Sequence, residues 1–238
     1  MENITMKLLL QRKSMRAYEQ TEIEPEKVDA ILQAAMRAPT AGNMMLYTII
    51  NVTSQEVKDK LAVTCDNQPF IATAPLVLLF VADYHRWYLH FKNKTPQGEA
   101  LRKLGMGDML LACSDALIAA QSAVTAADAL GLGSCYIGDI IENFETHKKL
   151  LNLPAHTVPI GMVCFGYPTE GQKERVQTTR FAKEHIVFEN RYPDATEEEI
   201  CAFTTPEKAE KLLLHKFNAA FSLEMNRSSE EMYKSFTE

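Results

Sequence analysis

The chain reads Arg12-Lys13-Ser14-Met15-Arg16 and, about twenty residues later, Ala38-Pro39-Thr40-Ala41-Gly42-Asn43. Three cations and a hydroxyl within five residues can give a phosphate several charge-assisted hydrogen bonds, each worth roughly 1.5–3 kcal/mol. The same residues would also serve as the solvated end of a helix. What separates the two readings is the second segment, where a proline is followed by small, turn-forming residues. Such a loop lets backbone come close to a ligand. Together the segments read as a phosphate clamp and a close-approach loop.

Composition narrows the ligand. The 238 residues are 46% hydrophobic and 24% charged, as in ordinary soluble globular proteins, and the formal net charge is −6. A negative chain that gathers Arg and Lys near one end uses them against a small anion, which argues against nucleic acid as a partner. The five cysteines, Cys65, Cys113, Cys135, Cys164 and Cys201, are widely spaced and contain no C-x-x-C pair, so neither a disulfide framework nor a zinc site is expected. The first residues lack the layout of a signal peptide, and no charge-free apolar run reaches about twenty residues. A cytoplasmic protein without a membrane partner is the expectation.

Periodicity predicts helices over 6–13 and 25–37, the second with Val28, Ile31, Leu32 and Ala35 on one face, Pro25 near its first turn and Pro39 as its stop. Residues 46–52 read as a strand, and Thr53-Ser54-Gln55-Glu56 as a capping box opening a helix toward Leu61. The run 76–82, preceded by Pro75, has the continuous apolar character of a strand buried on both faces. The longest periodic segment, 108–130, reads as a buried helix. Its Asp115 would be costly in an apolar core without a partner, so a helix end, a cation or a subunit interface is expected beside it. Residues 158–165 read as a further strand, closed by Gly166-Tyr167-Pro168, and 169–183 as polar loop. After Thr204-Thr205-Pro206-Glu207 helix resumes, with Leu212, Leu213, Phe217, Ala220 and Phe221 on one side, packed within the chain or around a second subunit.

Several chemistries fall away. Gly131-x-Gly133 lacks the third glycine of a dinucleotide fingerprint, which would fall at Tyr136, and it follows a helix instead of a strand. Its glycines serve a tight turn or a helix C-cap. There is no G-x-S-x-G elbow, and His85, His90, His147, His156, His185 and His215 form no H-x-x-x-H pair. These histidines are read as surface residues, and Cys135 as a buried thiol without a catalytic role. A second basic group, Lys173, Arg175 and Arg180, follows the Gly-Tyr-Pro turn and could fold back to complete the clamp.

In this order the segments resemble the nitroreductase family of FMN-dependent NAD(P)H oxidoreductases, over about residues 4–190. Arg12-Lys13-Ser14-Met15-Arg16 is similar to the family's Arg-Arg-Ser-x-Arg phosphate motif, and the 38–43 segment to its Ala-Pro-Ser-x-x-Asn loop. Gln68-Pro69-Phe70, Ala119-Ala120-Gln121, the 131–138 segment and Gly166-Tyr167-Pro168 with a following arginine add to the resemblance. It implies an α+β fold with a mixed sheet flanked by helices, one domain spanning 1–238 in which about 191–238 is a C-terminal helical extension, and an intertwined homodimer. It also implies FMN at the subunit interface, NADH or NADPH as cosubstrate, and a small-molecule electron acceptor. By the family pattern Arg12, Ser14 and Arg180 hold the phosphate and ribityl end with Lys13 nearby. Arg16 sits near the pyrimidine edge, where positive charge raises the reduction potential. Pro39, Thr40, Asn43 and Gln68 contact the cofactor, Tyr136 and Ile137 lead to it, and the backbone N–H of Gly138 points at flavin N5, the reacting atom, so no side chain acts as a nucleophile.

Two positions depart from the family pattern. Met45 stands where a glutamine is common, which implies a more apolar pocket, and Thr178 stands where a lysine is common, leaving Arg175 as a substitute. The reaction implied is ping-pong hydride transfer from NAD(P)H to nitroaromatics, quinones or flavins. Other readings are reductive dehalogenation or flavin processing on the same fold, with residues 84–97 as a lid, and a flavin-binding module without turnover.

Overall fold

The computed structural model describes residues 3–94 and 100–238. Asn3 opens α1 (Ile4–Gln11) by accepting from the N–H groups of Thr5 and Met6. Pro25 begins α2 (Pro25–Met36), which buries Ile31 and Ala35 from the expected stripe. After β1 (Tyr47–Asn51) the cap of α3 (Gln55–Thr64) falls on Ser54, one residue later than the expected capping box starts, with its Oγ accepting from Val57 N at 3.4 Å. Then come α4 (Phe70–Thr73), β2 (Leu76–Asp83), α5 (His85–Lys94), α6 (Met106–Ala129), β3 (Gly133–Ile137), α7 (Phe144–Leu150), β4 (Thr157–Gly166) and α8 (Glu170–Glu174). The C-terminal part holds α9 (Glu197–Cys201), α10 (Pro206–Leu212) and α11 (Ala220–Thr237). Residues 95–97 of the lid considered above lie outside the described residues.

The strands form one sheet in the order β1-β2-β4-β3, and every neighbouring pair is antiparallel. The expectation of a mixed sheet is corrected here. The chain leaves β1 and re-enters β2 at the same end, and β3 and β4 are joined likewise through α7, so adjacent strands run in opposite directions. Parallel pairing among the described residues is confined to the isolated bridge between Ser14 and Ser134.

β2 is buried along its whole length, as its sequence implies. Leu76, Leu78 and Phe80 face α2 and α6, while Val77, Leu79 and Val81 face Leu61, Ala62 and Ile71, the alternation a pleated strand imposes. By length and composition α6 could cross a bilayer. Its stripe of Ala112, Ala116, Ala119, Ala120, Ala123 and Ala127 is instead buried in the protein, the larger part of it in the main core, where small side chains let the helix approach the sheet closely.

The C-terminal stripe differs from its expectation. α10 runs on through a wider turn to Phe217 and stops at Asn218, whose N–H bonds to Leu213 O at 2.9 Å, so Ala220 and Phe221 belong to a separate helix. Leu212, Leu213 and Phe217 remain exposed, Phe217 by 74%. α11 docks through Met232 and Phe236 beside Tyr84, Phe144 and Val158.

Two histidines read as surface residues are buried, because each ties separate elements together. His147 donates from Nδ1 to Ile140 O at 2.9 Å and has Nε2 2.7 Å from Thr64 Oγ1, and burial pushes its pKa down. His156 donates from Nδ1 to Phe236 O at 2.7 Å, fixing the last helix.

Candidate functional site

The basic segment lies along the outer edge of β3. Met15 N donates to Ser134 O at 2.8 Å, Tyr18 bridges to Pro168, and Glu19 N donates to Tyr167 O at 2.8 Å. Two glycines make room for this contact. A Cβ on Gly133 would stand 2.7 Å from Met15 Cγ, and one on Gly166 would stand 2.7 Å from Tyr18 Cγ. Gly133, read from the sequence as part of a turn or helix cap, opens β3, and Gly166 closes β4 as expected; both are places where the basic segment presses on the sheet. Tyr18 locks the segment further by donating its buried hydroxyl to Met15 O at 2.6 Å, with Cys164 O at 3.1 Å.

The 172–175 region folds back onto this segment. Lys13 Nζ donates to the carbonyls of Lys173 and Arg175, both at 2.5 Å, Gln172 Oε1 accepts from Arg16 N at 3.0 Å, and Arg175 reaches Ser14 O. Lys13 therefore holds backbone, while Arg12, Arg16 and Arg175 converge on β3. Burial pushes the Cys135 thiol up, against the pull of Arg16, Arg12 and Arg175, all near enough to favour its thiolate. Among the described residues none of Arg12, Lys13, Arg16 and Arg175 forms an ion pair. Arg12 carries a buried guanidinium nitrogen with no hydrogen-bond partner, and the buried Ser134 hydroxyl lacks one too. An unmet buried donor costs about 1–3 kcal/mol, so an anion with several acceptor oxygens fits this cluster.

Asp115 explains the second segment. Only 3% exposed, its carboxylate accepts from the Thr40 hydroxyl, from Ala41 N at 2.9 Å and from Leu46 N at 3.1 Å. Its partners are thus the Thr40 hydroxyl and two backbone N–H groups, one of them the first of the single 3₁₀ turn Ala41–Asn43, so of the partners anticipated it faces a helix end, and no cation pairs with it among the described residues. Thr40 Oγ1 also accepts from Met45 N at 2.8 Å, so this hydroxyl shapes the loop from within. Gly42, Asn43 and Met45 take left-handed φ of 56°, 57° and 49°. For methionine that conformation is strained by about 1–2 kcal/mol, which the Asp115 network offsets. Pro39 and Asn43 are exposed.

α5 braces the loop from outside, which the sequence reading missed. Trp87 Nε1 donates to Met44 O at 2.7 Å, and Arg86 donates to Tyr47 O at 2.5 Å while pairing with Asp83 at 3.3 Å. Asn43, Met44, Met45, Arg86, Trp87 and His90 line a cavity of about 410 Å³. The signal was present in the aromatic and basic run after Tyr84, but only the fold brings it to the loop.

At the other end of β3, Ile137 is buried, and Tyr136 points its hydroxyl toward Gln121 Oε1 at 3.5 Å, with burial raising its pKa to about 12. Gly138 is exposed, and a Cβ there would meet nothing within 4 Å, so a flat ligand has space against it. Gln68 reaches the same turn, donating to Asp139 Oδ2 at 2.7 Å. Arg180 stays apart from the cluster, and among the described residues it bonds to the nearby carbonyls of Thr178 and Thr179 at 3.3 and 3.4 Å. Arg175 is the distant arginine that joins the basic segment.

Comparison with known proteins identifies the family. A sequence model described as the nitroreductase family matches residues 9–167. The chain is 30% identical over 194 residues to a Bacillus subtilis protein named FMN reductase (NADPH), covering 80% of this chain and 75% of that one. It is also 30% identical over 189 residues to the oxygen-insensitive NADPH nitroreductase of Salmonella typhimurium, covering 79% and 74%. The solved structure of Bacillus megaterium NfrA1 superposes with a TM-score of 0.81 at 27% identity, covering 97% of this chain and 99% of that one. A basic segment laid on β3, a loop held by a buried aspartate and an open glycine beyond the strand thus sit inside a match that spans most of the sequence, and the chain belongs to the nitroreductase family of FMN-dependent NAD(P)H oxidoreductases.

Proposed function

We propose that this chain binds FMN between two copies of itself and reduces nitroaromatic, quinone or flavin-type acceptors by a ping-pong mechanism. The observation that carries this reading is the convergence of Arg12, Arg16 and Arg175 on β3 with no ion pair among the described residues, in a chain of net charge −6. Relatives named FMN reductase, nitroreductase and, in a Pseudomonas strain, CR(VI) reductase support a broad choice of acceptor.

In this reading Arg12 and Ser14 hold the phosphate end, and the unmet guanidinium nitrogen of Arg12 finds its acceptor there. Lys13 serves by fixing the 173–175 backbone, which brings Arg175 to the site. Arg180, expected at the same phosphate, lies on the exposed loop beyond. Pro39, Thr40, Asn43 and Gln68 border the ring system, Tyr136 and Ile137 lead to it, and Gly138 presents backbone to its reacting edge. When bound, FMN supplies the redox chemistry, taking hydride from NADH or NADPH and passing reducing equivalents to the acceptor. The protein supplies orientation, positive charge near the pyrimidine edge through Arg16, and an apolar wall of Met44, Met45 and Trp87 beside Asn43.

A homodimer is supported by apolar side chains left in water on one chain. Ile4 and Leu10 of α1, Leu110 and Leu111 of α6, and Leu214 and Phe217 beyond α10 are all exposed. Five free thiols fit a reducing cytoplasm. The test is the visible spectrum of the purified protein, followed by anaerobic addition of NADH and then NADPH. A flavin spectrum bleached by either donor is expected. A colourless protein that takes up no added FMN would overturn the reading.

A further inference from the structure

The side-chain amide of Gln68 is oriented by groups that can only accept. Its Nε2 donates to Cys65 O at 2.9 Å and to Asp139 Oδ2 at 2.7 Å. A backbone carbonyl has no proton to offer, so turning the amide over would set two oxygens against each other at Cys65 and again at Asp139. Both N–H groups are therefore committed, and Oε1 is the atom left over, with no hydrogen bond to any described residue. Asp139 directly follows Gly138 at the start of the turn Gly138–Ile141, and its own carbonyl accepts from Glu142 N at 3.0 Å, so the carboxylate stands on ordered backbone.

We infer that Asp139 is a positioning residue that fixes Gln68 as a hydrogen-bond acceptor, so that this edge of the site selects a ligand group carrying an N–H. The inference rests on the reading above, in which Gln68 borders the flavin. The imide N–H at flavin N3 is the ring donor that FMN offers. Without Asp139 the amide keeps one tie, to Cys65 O, and becomes free to pivot, so the site loses its preference for a donor. Asparagine in place of Asp139 retains an acceptor oxygen at the same reach and should preserve the preference, whereas alanine or serine removes it.

The test compares the affinity of the dimeric apoprotein for FMN and for N3-methyl FMN, which lacks the N–H, by quenching of flavin fluorescence. The wild-type protein should prefer FMN by about tenfold, the yield of one good hydrogen bond. Asp139→Asn should keep that ratio, while Asp139→Ala and Asp139→Ser should bring it near unity. Gln68→Met, which removes Oε1 without touching Asp139, should do the same and keeps the test decisive if the Asp139 variants fail to fold. A wild-type ratio near unity, or an unchanged ratio in Asp139→Ala or Gln68→Met, would overturn the inference while leaving FMN binding intact. Failure of the wild-type protein to bind either flavin would instead overturn the functional reading.

Discussion

Removing the Asp115 carboxylate should loosen the 38–46 loop and the protein together. Three groups depend on it: the Thr40 hydroxyl, Ala41 N at 2.9 Å and Leu46 N at 3.1 Å, around a side chain that is 3% exposed. Asp115→Ala leaves two backbone N–H groups short of a partner in a buried place, at about 1–3 kcal/mol each. It also removes the network that holds Met45 in its left-handed conformation. A loss of about 3–5 kcal/mol follows, the size found when one partner of a buried charged network is deleted. At about 2–4 °C per kcal/mol for a chain of this size, the melting temperature should fall by roughly 6–20 °C. Asp115→Asn keeps one acceptor oxygen but turns an NH₂ toward a donor, so its loss should be about half as large. Thermal melts followed by circular dichroism, together with the ratio of flavin to protein absorbance after desalting, read both effects. A fall of less than about 2 °C with flavin fully retained would refute the assignment of Asp115 as the anchor of the loop.

Three further outcomes follow from the same structure. Glu142 is 6% exposed, and burial together with the charges of Asp139 and Asp66 raises its pKa from 4.5 to about 7. The folded state then holds a proton that the unfolded state has released, so this group's contribution to stability falls as pH rises from about 4.5 to 7 and is level above that. After screening by solvent the loss is about 1–2 kcal/mol, and Glu142→Gln should abolish it in urea titrations at pH 5.5 and 8. Gly133→Ala puts a methyl 2.7 Å from Met15 Cγ and should destabilise by about 1–3 kcal/mol. Adding Met15→Ala should recover part of that loss in the same melt, a coupling expected only of side chains in contact. Arg16→Ala should weaken FMN retention by about tenfold and slow reduction by NAD(P)H, as fluorescence titration and stopped-flow bleaching would report.

How much of this was legible in the sequence depends on the range of the interaction that decides each part. β2, α2 and the caps at Ser54 and Thr205 are settled by neighbours a few residues away, and they lie where the residue pattern puts them, to within one residue. The basic segment was readable because its cations are adjacent in the chain. Asp115 stood out as a charge in an apolar helix, but its partners lie about seventy residues away, so only the type of problem could be read and not its solution. The same holds for Trp87 against Met44, while for the second basic group the sequence offered both Arg175 and Arg180 and only the fold puts Arg175 at Ser14. His147 and His156 look like surface residues until the elements they join are assembled around them. The split between α10 and α11 escaped because the apolar spacing runs across Asn218 unbroken, and local backbone preference won over periodicity there.

The docking of α11 sets an order of events during synthesis. Asn143 N donates to Glu224 Oε1 at 3.1 Å and Phe144 N to Ser228 Oγ at 3.2 Å, so the first turn of α7 takes its capping partners from residues made about eighty positions later. A nascent chain that has already paired β3 with β4 still shows Phe144 and Val158 to the surrounding water until Met232 and Phe236 emerge from the ribosome. Docking of α11 is therefore the event that hides this apolar face, and a pause in synthesis before residues 220–237 have emerged would lengthen the time for which chaperones must cover it.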